Sequence, residues 1–395
     1  MLESSSQHAA GPGPVHQRFT LDGDESLETH LHTVCDRVRE GVVRIIPKPD
    51  LHGILLGGGY GRGEGGVLIS GDGDLPYNDL EFYVFVHGST VLAERRHGSA
   101  LRELGHALEA FAGIEVEFKI VSRRKLQTSA TTMFFHDLIS GHRLIEGDWD
   151  LIEGCSQHLD GAAIPLHEAT RLLMNRCSGL LFATERLHMR RFTAEDADFV
   201  GRNIAKAHLA LGDVILAAHG LYHSSARVRG ERLGTLPKPE GLPDFGKIVR
   251  LHGEGVAFKL QPVRSTENRA ALTGRHATVS ALAKEVFLWL ESRRLGVRFA
   301  SPQAYATSRR DKCPETPKWR NSLVNLRWLR LSAPLRSPSR HPRQRLLHSL
   351  ALLLWEPAAF EDAKISDRLA SELLNPVADI AGAVAAYTPL WHRFQ

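Results

Sequence analysis

The sequence has few cysteines and no long hydrophobic run. Its four cysteines lie far apart in 395 residues, and no pair has the Cys-x-x-Cys spacing of a structural zinc site; they are Cys35, Cys155, Cys177 and Cys313. We therefore expect free thiols in a reducing cytosol rather than a disulfide framework. No apolar stretch approaches the length of a membrane-spanning helix, and the first residues lack the apolar segment of a signal peptide. These absences predict a cytoplasmic protein without a membrane partner.

The sequence also lacks a dominant charge. Its 49 basic and 45 acidic residues give a formal net charge of +4, which does not by itself require a nucleic acid partner. The hydrophobic fraction of 43% and the charged fraction of 24% are ordinary for a globular protein. A chain of 395 residues is long enough for two domains and a third small lobe.

Glycine, in contrast, is concentrated in one stretch between two apolar runs. The first run, Ile54 to Leu56, leads into Gly-Gly-Gly-Tyr-Gly-Arg-Gly-Glu-Gly-Gly, and the second, Phe82 to Val86, follows the acids Asp79 and Glu81. Glycines allow close approach of the backbone to a ligand, and exposed N–H groups in such a turn form an anion site. Asp79 and Glu81 are two residues apart, so on a strand they face the same side. This combination predicts a Mg²⁺–nucleotide site, although paired acids at a strand start are also typical of a solvated turn.

These residues resemble the signature of the DNA polymerase β-type nucleotidyltransferases. That signature has Gly-Ser or Gly-Gly, a nearby Arg-Gly and then Ser-Asp-x-Asp, and here Gly58 to Glu64 is followed by Asn-Asp79-Leu-Glu81. The sequence differs in having Gly59 in place of the common serine and Glu81 in place of the second aspartate. The spacer is also longer, with 68–77 as the insertion. The resemblance covers about residues 26–150.

The resemblance implies an α+β fold, with a polymerase-β-like core of mixed sheet and flanking helices followed by a mostly α-helical domain. It implies that Asp79 and Glu81 bridge two Mg²⁺ ions. The strand predicted over Gly113–Val121 supplies the third carboxylate, for which Glu117 is the first candidate and Glu115 the second. Alternating acids on such a strand are also typical of a solvated edge.

For the nucleotide, the resemblance implies that Gly58 and Gly59 contact the phosphates and that Arg62 pairs with phosphate oxygens. Arg62 has a second interpretation, as the partner of a nearby acid or of a helix end. Helical domains that follow this core often supply basic side chains to the triphosphate, and Lys206 is our candidate; it also fits the solvated face of an amphipathic helix. The implied reaction transfers a nucleoside monophosphate from an NTP, ATP being favoured, to a hydroxyl acceptor.

We predict a disordered segment over residues 1–24, a nucleotidyltransferase domain over 25–150, a helical domain over 151–300, and a basic linker with C-terminal helices over 301–395. Apolar periodicity predicts the main helices, at Glu25–Ile46, Thr90–Phe111, His167–Arg186, Glu195–Leu221, His276–Leu295, Leu346–Trp355 and Asp362–Leu374. The Pro- and Gly-rich stretch 233–244 predicts a loop.

The segment from Arg309 to Arg345 is strongly basic and includes Trp319 and Trp328. Arginines interleaved with aromatic residues are typical of nucleic acid binding, and also of a solvated irregular surface. This segment is the expected site of contact if the acceptor is a nucleic acid.

The sequence leaves other functions open. The acceptor could be a small molecule, which we favour, or a hydroxyl of a protein or RNA, as in antitoxin-type relatives. The departures at Gly59 and Glu81 also fit a non-catalytic nucleotide-binding or partner-binding protein on the same fold. Arg202 and His208 have the spacing of a HEPN ribonuclease motif, and His219 and a histidine four residues later have that of a helical zinc pair.

Overall fold

The computed structural model describes residues 18–329, 339–356 and 360–395, which form two compact units. The first unit runs to Ala163 and also includes His223–Ser225 and Leu260–Pro262. The second unit contains the remainder of the chain from Ile164. The fold class is α+β, because the first unit contains a small mixed sheet and the second is built from helices.

The first unit alternates helices and strands along the chain. Its elements are α1 (Glu25–Ile45), β1 (Leu51–Leu56), α2 (Gly58–Gly61), β2 (Gly66–Leu68), β3 (Leu75–Tyr77), β4 (Asp79–Val86), α3 (Thr90–Ala112), β5 (Glu115–Val121), α4 (Arg123–Thr128), α5 (Met133–Ser140) and β6 (Arg143–Gly147). Three short 3₁₀ turns follow, at Trp149–Ile152, Ser156–Leu159 and Gly161–Ala163.

The central sheet has the strand order β5-β4-β1-β6. β4 and β5 are parallel, whereas β1 is antiparallel to both β4 and β6. One face of the sheet packs against α1 and α3 through a core that includes Ile54 and Phe82. The other face packs against α4 and α5 through a core that includes Tyr83 and Leu138. Alternate residues of β4 therefore point to opposite cores.

The beginning of the described chain is folded onto α1, which corrects the prediction that residues 1–24 are disordered. Phe19 and Thr20 are buried, and the carboxylate of Glu28 accepts hydrogen bonds from their backbone N–H groups at 2.7 and 3.0 Å. A single carboxylate thus satisfies both donors, and this local arrangement leaves no periodic signal in the sequence. Asp24 then caps α1 by accepting from the N–H of Leu27 at 2.7 Å. The rest of the predicted segment, 1–17, lies outside the described residues.

The predicted insertion forms part of a small hairpin. β2 and β3 pair antiparallel between Gly66 and Tyr77. The Tyr60 hydroxyl accepts a hydrogen bond from the N–H of Tyr77 and lies 2.8 Å from the carbonyl oxygen of Gly66. The Tyr60 ring lies where a Cβ on Gly65 would stand, so this close packing requires glycine there. The hairpin is thereby fixed to the glycine-rich turn.

The second unit is helical throughout its regular elements. They are α6 (Leu166–His188), α7 (Ala194–Ala218), α8 (Ala226–Thr235), α9 (Phe245–Leu260), α10 (Arg269–Leu295), α11 (Pro302–Thr307), α12 (Lys318–Leu329), α13 (Pro342–Trp355), α14 (Ala363–Leu373) and α15 (Ile380–Phe394). Sequence periodicity did not predict α8, α9, α11, α12 or α15. In α9 the buried face includes His252 and Gly255, which interrupt the apolar pattern.

Buried charges connect helices within the second unit. The Asp213 carboxylate accepts from Arg229 Nε at 2.7 Å and lies 3.0 Å from His252 Nε2, and all three side chains are buried. Glu291 is also buried and accepts from the hydroxyls of Thr170 and Tyr305. No helix within the described ranges combines the length and apolar character that crossing a bilayer requires.

Candidate metal-binding site

Two neighbouring strands bring three carboxylates together. In the parallel register of β4 and β5, Glu81 lies opposite Glu117, and Asp79 lies opposite Glu115. Asp79, Glu81 and Glu117 each offer an oxygen within 4.8 Å of the others, and all three are half-buried. They are the one group among the described residues with three or more possible ligands in such proximity. Glu115 is exposed and lies outside this group.

Strand alternation explains the direction of these acids. Leu80 and Phe82 are buried in the core shared with α1 and α3, so Asp79 and Glu81 point to the opposite face. Asn78, with φ of 77°, makes the turn that leads from the hairpin into β4. Asparagine tolerates this left-handed conformation better than most residues. The site therefore lies at the beginning of β4, on the face of the sheet that carries α5.

Lys119 bridges two of the three acids. Its Nζ lies 2.8 Å from Glu81 Oε1 and 3.1 Å from Glu117 Oε2. Burial opposes the charged ammonium, but Glu81 and Glu117 outweigh this effect and raise the pKa of Lys119 above its usual value. Lys119 was not predicted as a site residue, although it lies two residues after Glu117 and so faces the same side of β5. The pair Glu81–Glu117 would repel without a cation between them.

The glycine-rich turn lies directly beside these carboxylates. Gly58 has φ of 63°, and a Cβ at this position would lie 2.9 Å from Glu81 Oε2. The N–H of Gly57 donates to the backbone oxygen of Glu81 at 2.9 Å, which fixes the turn to β4. At Gly59 a Cβ would lie 2.9 Å from the carbonyl oxygen of Glu64. The turn is thus too closely packed for the serine that the family signature commonly has at this position.

Arg62 is directed into the protein. It is 7% exposed, and its Nη1 lies 3.9 Å from Asp137 Oδ2 of α5. Its aliphatic part fills the space in which Gly141 would otherwise carry a Cβ. This arrangement matches the interpretation of Arg62 as the partner of a nearby acid. Lys206, the other predicted phosphate ligand, is a partly buried residue of α7 in the second unit.

An aromatic pair adjoins the acids. Tyr83 is the next residue on the same face of β4 after Glu81, and the Lys119 ammonium lies 5.8 Å from its ring centroid. Phe134 of α5 is 43% exposed, and its ring centroid lies 5.3 Å from that of Tyr83. Burial first, and then the charge of Glu81, raises the pKa of Tyr83. Phe134 was not predicted as a site residue. Its ring is directed towards Tyr83 by helix α5, and the sequence did not predict that helix.

The other histidine motifs lie in different surroundings. His208 is buried, and this burial, with the charges of Arg275 and Arg250, lowers its pKa to about 4. Arg202 pairs with Asp198 at 3.2 Å. These contacts do not favour the ribonuclease interpretation, which needs an imidazole accessible to RNA. His219 Nδ1 lies 2.8 Å from the carbonyl oxygen of Ile215, and His219 belongs to no group of three possible metal ligands among the described residues.

The donor set fits a hard divalent cation. Mg²⁺ binds carboxylate oxygens, and all three donors here are carboxylates. Lys119 already places one positive charge between two of them. The comparison with known proteins adds no relative, because no protein-family model matches this chain and no curated protein matches its sequence.

Proposed function

We propose that this protein is a Mg²⁺-dependent nucleotidyltransferase with a polymerase-β-like core. It transfers a nucleoside monophosphate from an NTP, with ATP the favoured donor, to a hydroxyl group of a small molecule and releases pyrophosphate. The observation that carries this proposal is the group formed by Asp79, Glu81 and Glu117, whose oxygens lie within 4.8 Å of one another beside a glycine turn. The order of these parts along the chain is that of the family signature.

In this proposal the three carboxylates hold two Mg²⁺ ions. Bound Mg²⁺ neutralises phosphate charge and lowers the pKa of the attacking hydroxyl. The strands fix the carboxylates before substrate arrives, because β4 and β5 are paired without interruption from Asp79 to Phe85. Phosphoryl transfer depends mainly on such positioning and charge neutralisation.

Lys119 and Phe134 complete the proposed substrate site. With Glu81 and Glu117 holding a cation, the Lys119 ammonium would be free to pair with a phosphate oxygen. Phe134 has an exposed ring next to Tyr83 and offers a flat apolar face on which a nucleobase can stack. Arg62, which is buried against Asp137, supports the turn in this proposal rather than the phosphates.

A second candidate is a nucleotide-binding or partner-binding protein without transferase activity. Lys119 favours it, because its ammonium already satisfies Glu81 and Glu117 without a metal. In this case the acids and the lysine would form a structural ion network on the surface of the sheet. Displacement of Lys119 by a divalent cation is required for the transferase, and the two candidates differ in whether a nucleoside monophosphate is then transferred to an acceptor.

Calorimetric titration with ATP and GTP, each with and without Mg²⁺, tests the proposal. The variants are Asp79→Asn/Glu81→Gln and Glu117→Gln, and the matched control is Glu115→Gln, which removes an exposed carboxylate of the same strand. We expect Mg²⁺-dependent binding in the wild type and the control, and its loss in the other two. Transfer from an NTP labelled at its α-phosphate then identifies acceptors.

The remaining outcomes separate the candidates. Tight binding that is unchanged in all variants would indicate a nucleotide-binding protein that does not use these acids. No binding of either nucleotide by the folded wild type would refute the transferase proposal. Metal-dependent binding without transfer to any acceptor tested, including small molecules, RNA and protein, would favour the non-catalytic candidate.

A further inference from the structure

Helix α12, Lys318–Leu329, has its polar face directed into the second unit. Among the side chains of this helix that the structure describes, those of Asn321 and Asn325 are buried. The Asn321 amide donates to the carbonyl oxygen of Ser339 at 3.1 Å, and the Asn325 amide donates to that of Arg340 at 2.8 Å. Amide hydrogen bonds from the buried face therefore attach α12 to the rest of the unit.

The outward face of α12 is apolar. Trp319, Leu323 and Leu326 follow one another at spacings of four and three residues, so they form one stripe along the helix. They are 69%, 57% and 59% exposed, respectively. A surface helix ordinarily buries such a stripe against its own core. A contiguous apolar patch that is left exposed marks a site of interaction.

Positive charge borders this stripe on both sides. Lys318, Arg320 and Arg327 are exposed, and the helix contains no carboxylate. At the C-terminal end the Arg393 guanidinium lies 4.2 Å from the ring centroid of Trp328. The surface that fits α12 must therefore accept apolar side chains and carry negative charge around them.

We propose that α12 docks on an anionic lipid surface. Trp319, Leu323 and Leu326 would enter the boundary between headgroups and acyl chains, while Lys318 and the two arginines pair with anionic headgroups. Tryptophan, leucine and basic residues around one apolar face are the composition of helices that lie in this interface. This differs from the sequence-based expectation of a nucleic acid partner for Arg309–Arg345 and of no membrane partner.

Two other occupants fit the observations less well. Trp319 offers one exposed ring for stacking, but Leu323 and Leu326, which make up the rest of the stripe, have no planar face on which a nucleobase can stack. The ring of Trp328, which could stack, is contacted by Arg327 and Arg393. In a dimer made through this face, the basic edges of two copies would oppose each other. An anionic bilayer meets both the apolar and the charge requirement.

Flotation of the full chain with vesicles tests this proposal. The vesicles contain either equal parts of phosphatidylglycerol and phosphatidylcholine or phosphatidylcholine alone. We expect the wild type to bind the anionic vesicles. Leu323→Asp/Leu326→Asp should lower the affinity for them at least about tenfold. Arg320→Gln/Arg327→Gln should lower it roughly thirtyfold, because each cation near such a surface contributes about a fivefold change in affinity.

Two controls make changes of the same kind on other exposed parts of the second unit. Val263→Asp places an acid on an exposed apolar site, and Lys238→Gln/Arg264→Gln removes two exposed cations. We expect both controls to bind as the wild type does. The arginine variant changes only exposed side chains, so it tests the proposal even if the leucine variant fails to fold.

Several outcomes would overturn the proposal. They are absence of binding to anionic vesicles, equal binding to phosphatidylcholine alone, and binding that persists in the α12 variants. If labelled single-stranded RNA, rather than vesicles, binds the wild type and is lost in both α12 variants, the helix is a nucleic acid site. Concentration-dependent dimers in light scattering that Leu323→Asp abolishes would assign the stripe to a second copy of the chain.

Discussion

Replacing Lys119 with methionine removes a positive charge that competes for the carboxylates, and it is therefore expected to strengthen cation binding. The Lys119 ammonium lies 2.8 Å from Glu81 and 3.1 Å from Glu117, in the space between carboxylates that a metal would share. A metal must therefore displace Lys119 from these oxygens before it can bind all three acids. Methionine keeps the unbranched apolar stem and leaves the acids without their competitor.

The magnitude follows from the exposure of the pair. Two opposite charges in contact interact by several kcal/mol near a protein surface before screening is counted. Lys119 is 46% exposed, so solvent reduces this interaction, and exposed pairs are worth about 1 kcal/mol. Loss of the competing interaction should therefore lower the dissociation constant for a divalent cation roughly fivefold. The raised pKa keeps Lys119 charged throughout the neutral range, so the effect should not depend on pH there.

Mn²⁺ titration followed by electron paramagnetic resonance, at fixed ionic strength and without nucleotide, measures this affinity. Lys125→Met is the matched control, since Lys125 is an exposed lysine of α4 in the same unit. We expect tighter Mn²⁺ binding in Lys119→Met alone, and weaker binding of the metal–ATP complex because the proposed phosphate partner is gone. Unchanged or weaker Mn²⁺ binding in Lys119→Met would refute the competition between lysine and metal.

Three further predictions concern backbone strain, a buried ion pair and pH. Gly58→Ala should destabilise the folded protein by about 1 to 2 kcal/mol because of the positive φ at this position. It should also weaken Mn²⁺ binding, because the new Cβ crowds the adjacent carboxylate of Glu81. The control Gly113→Ala, at φ of 73°, should lower the thermal unfolding temperature without altering metal affinity. Asp213→Asn should lower the free energy of unfolding by about 3 kcal/mol in urea titration, because it breaks the buried pair with Arg229; a loss near zero would contradict this. His208 has its pKa lowered from 6.5 to about 4, so the unfolded chain takes up the proton first and stability should fall as pH decreases from 6.5 towards 4, by up to about 3 kcal/mol. In denaturant titrations across this range, His208→Gln should show a shallower fall, and an identical slope would count against a neutral buried imidazole.

Local periodicity predicted part of the candidate site. A period of two places Asp79 and Glu81 on one face of a strand, and the structure has both on the same face of β4. The choice of Glu117 over Glu115 depends on the register of β4 with β5, which is a contact between distant parts of the chain. The sequence alone could rank Glu117 above Glu115, but it could not show how the residues of β4 and β5 are paired.

Other features required tertiary packing. Arg62 turns inward because Gly141 leaves room for it and Asp137 pairs with it, and both lie more than 70 residues further along the chain. In α9, Gly255 belongs to the buried face, since a Cβ there would lie 2.5 Å from the backbone nitrogen of Leu209. A glycine in a buried helical face carries no hydrophobic signal. In α12 the apolar stripe is present in the sequence, but only the amide hydrogen bonds reveal that it faces outward.

The chain returns twice to the first unit after Ala163, and this has a consequence for how the protein could be divided. The hydroxyl of Ser225 donates to Glu64 Oε1 at 2.5 Å, next to the glycine turn, and the Gln261 amide donates to Asp22 at 3.3 Å. A fragment that ends at residue 163 would keep the sheet and the three acids but lose both contacts. The first unit is therefore not continuous in sequence. A recombinant chain that is cut at residue 163 would carry the three carboxylates without the two later segments that belong to the same unit.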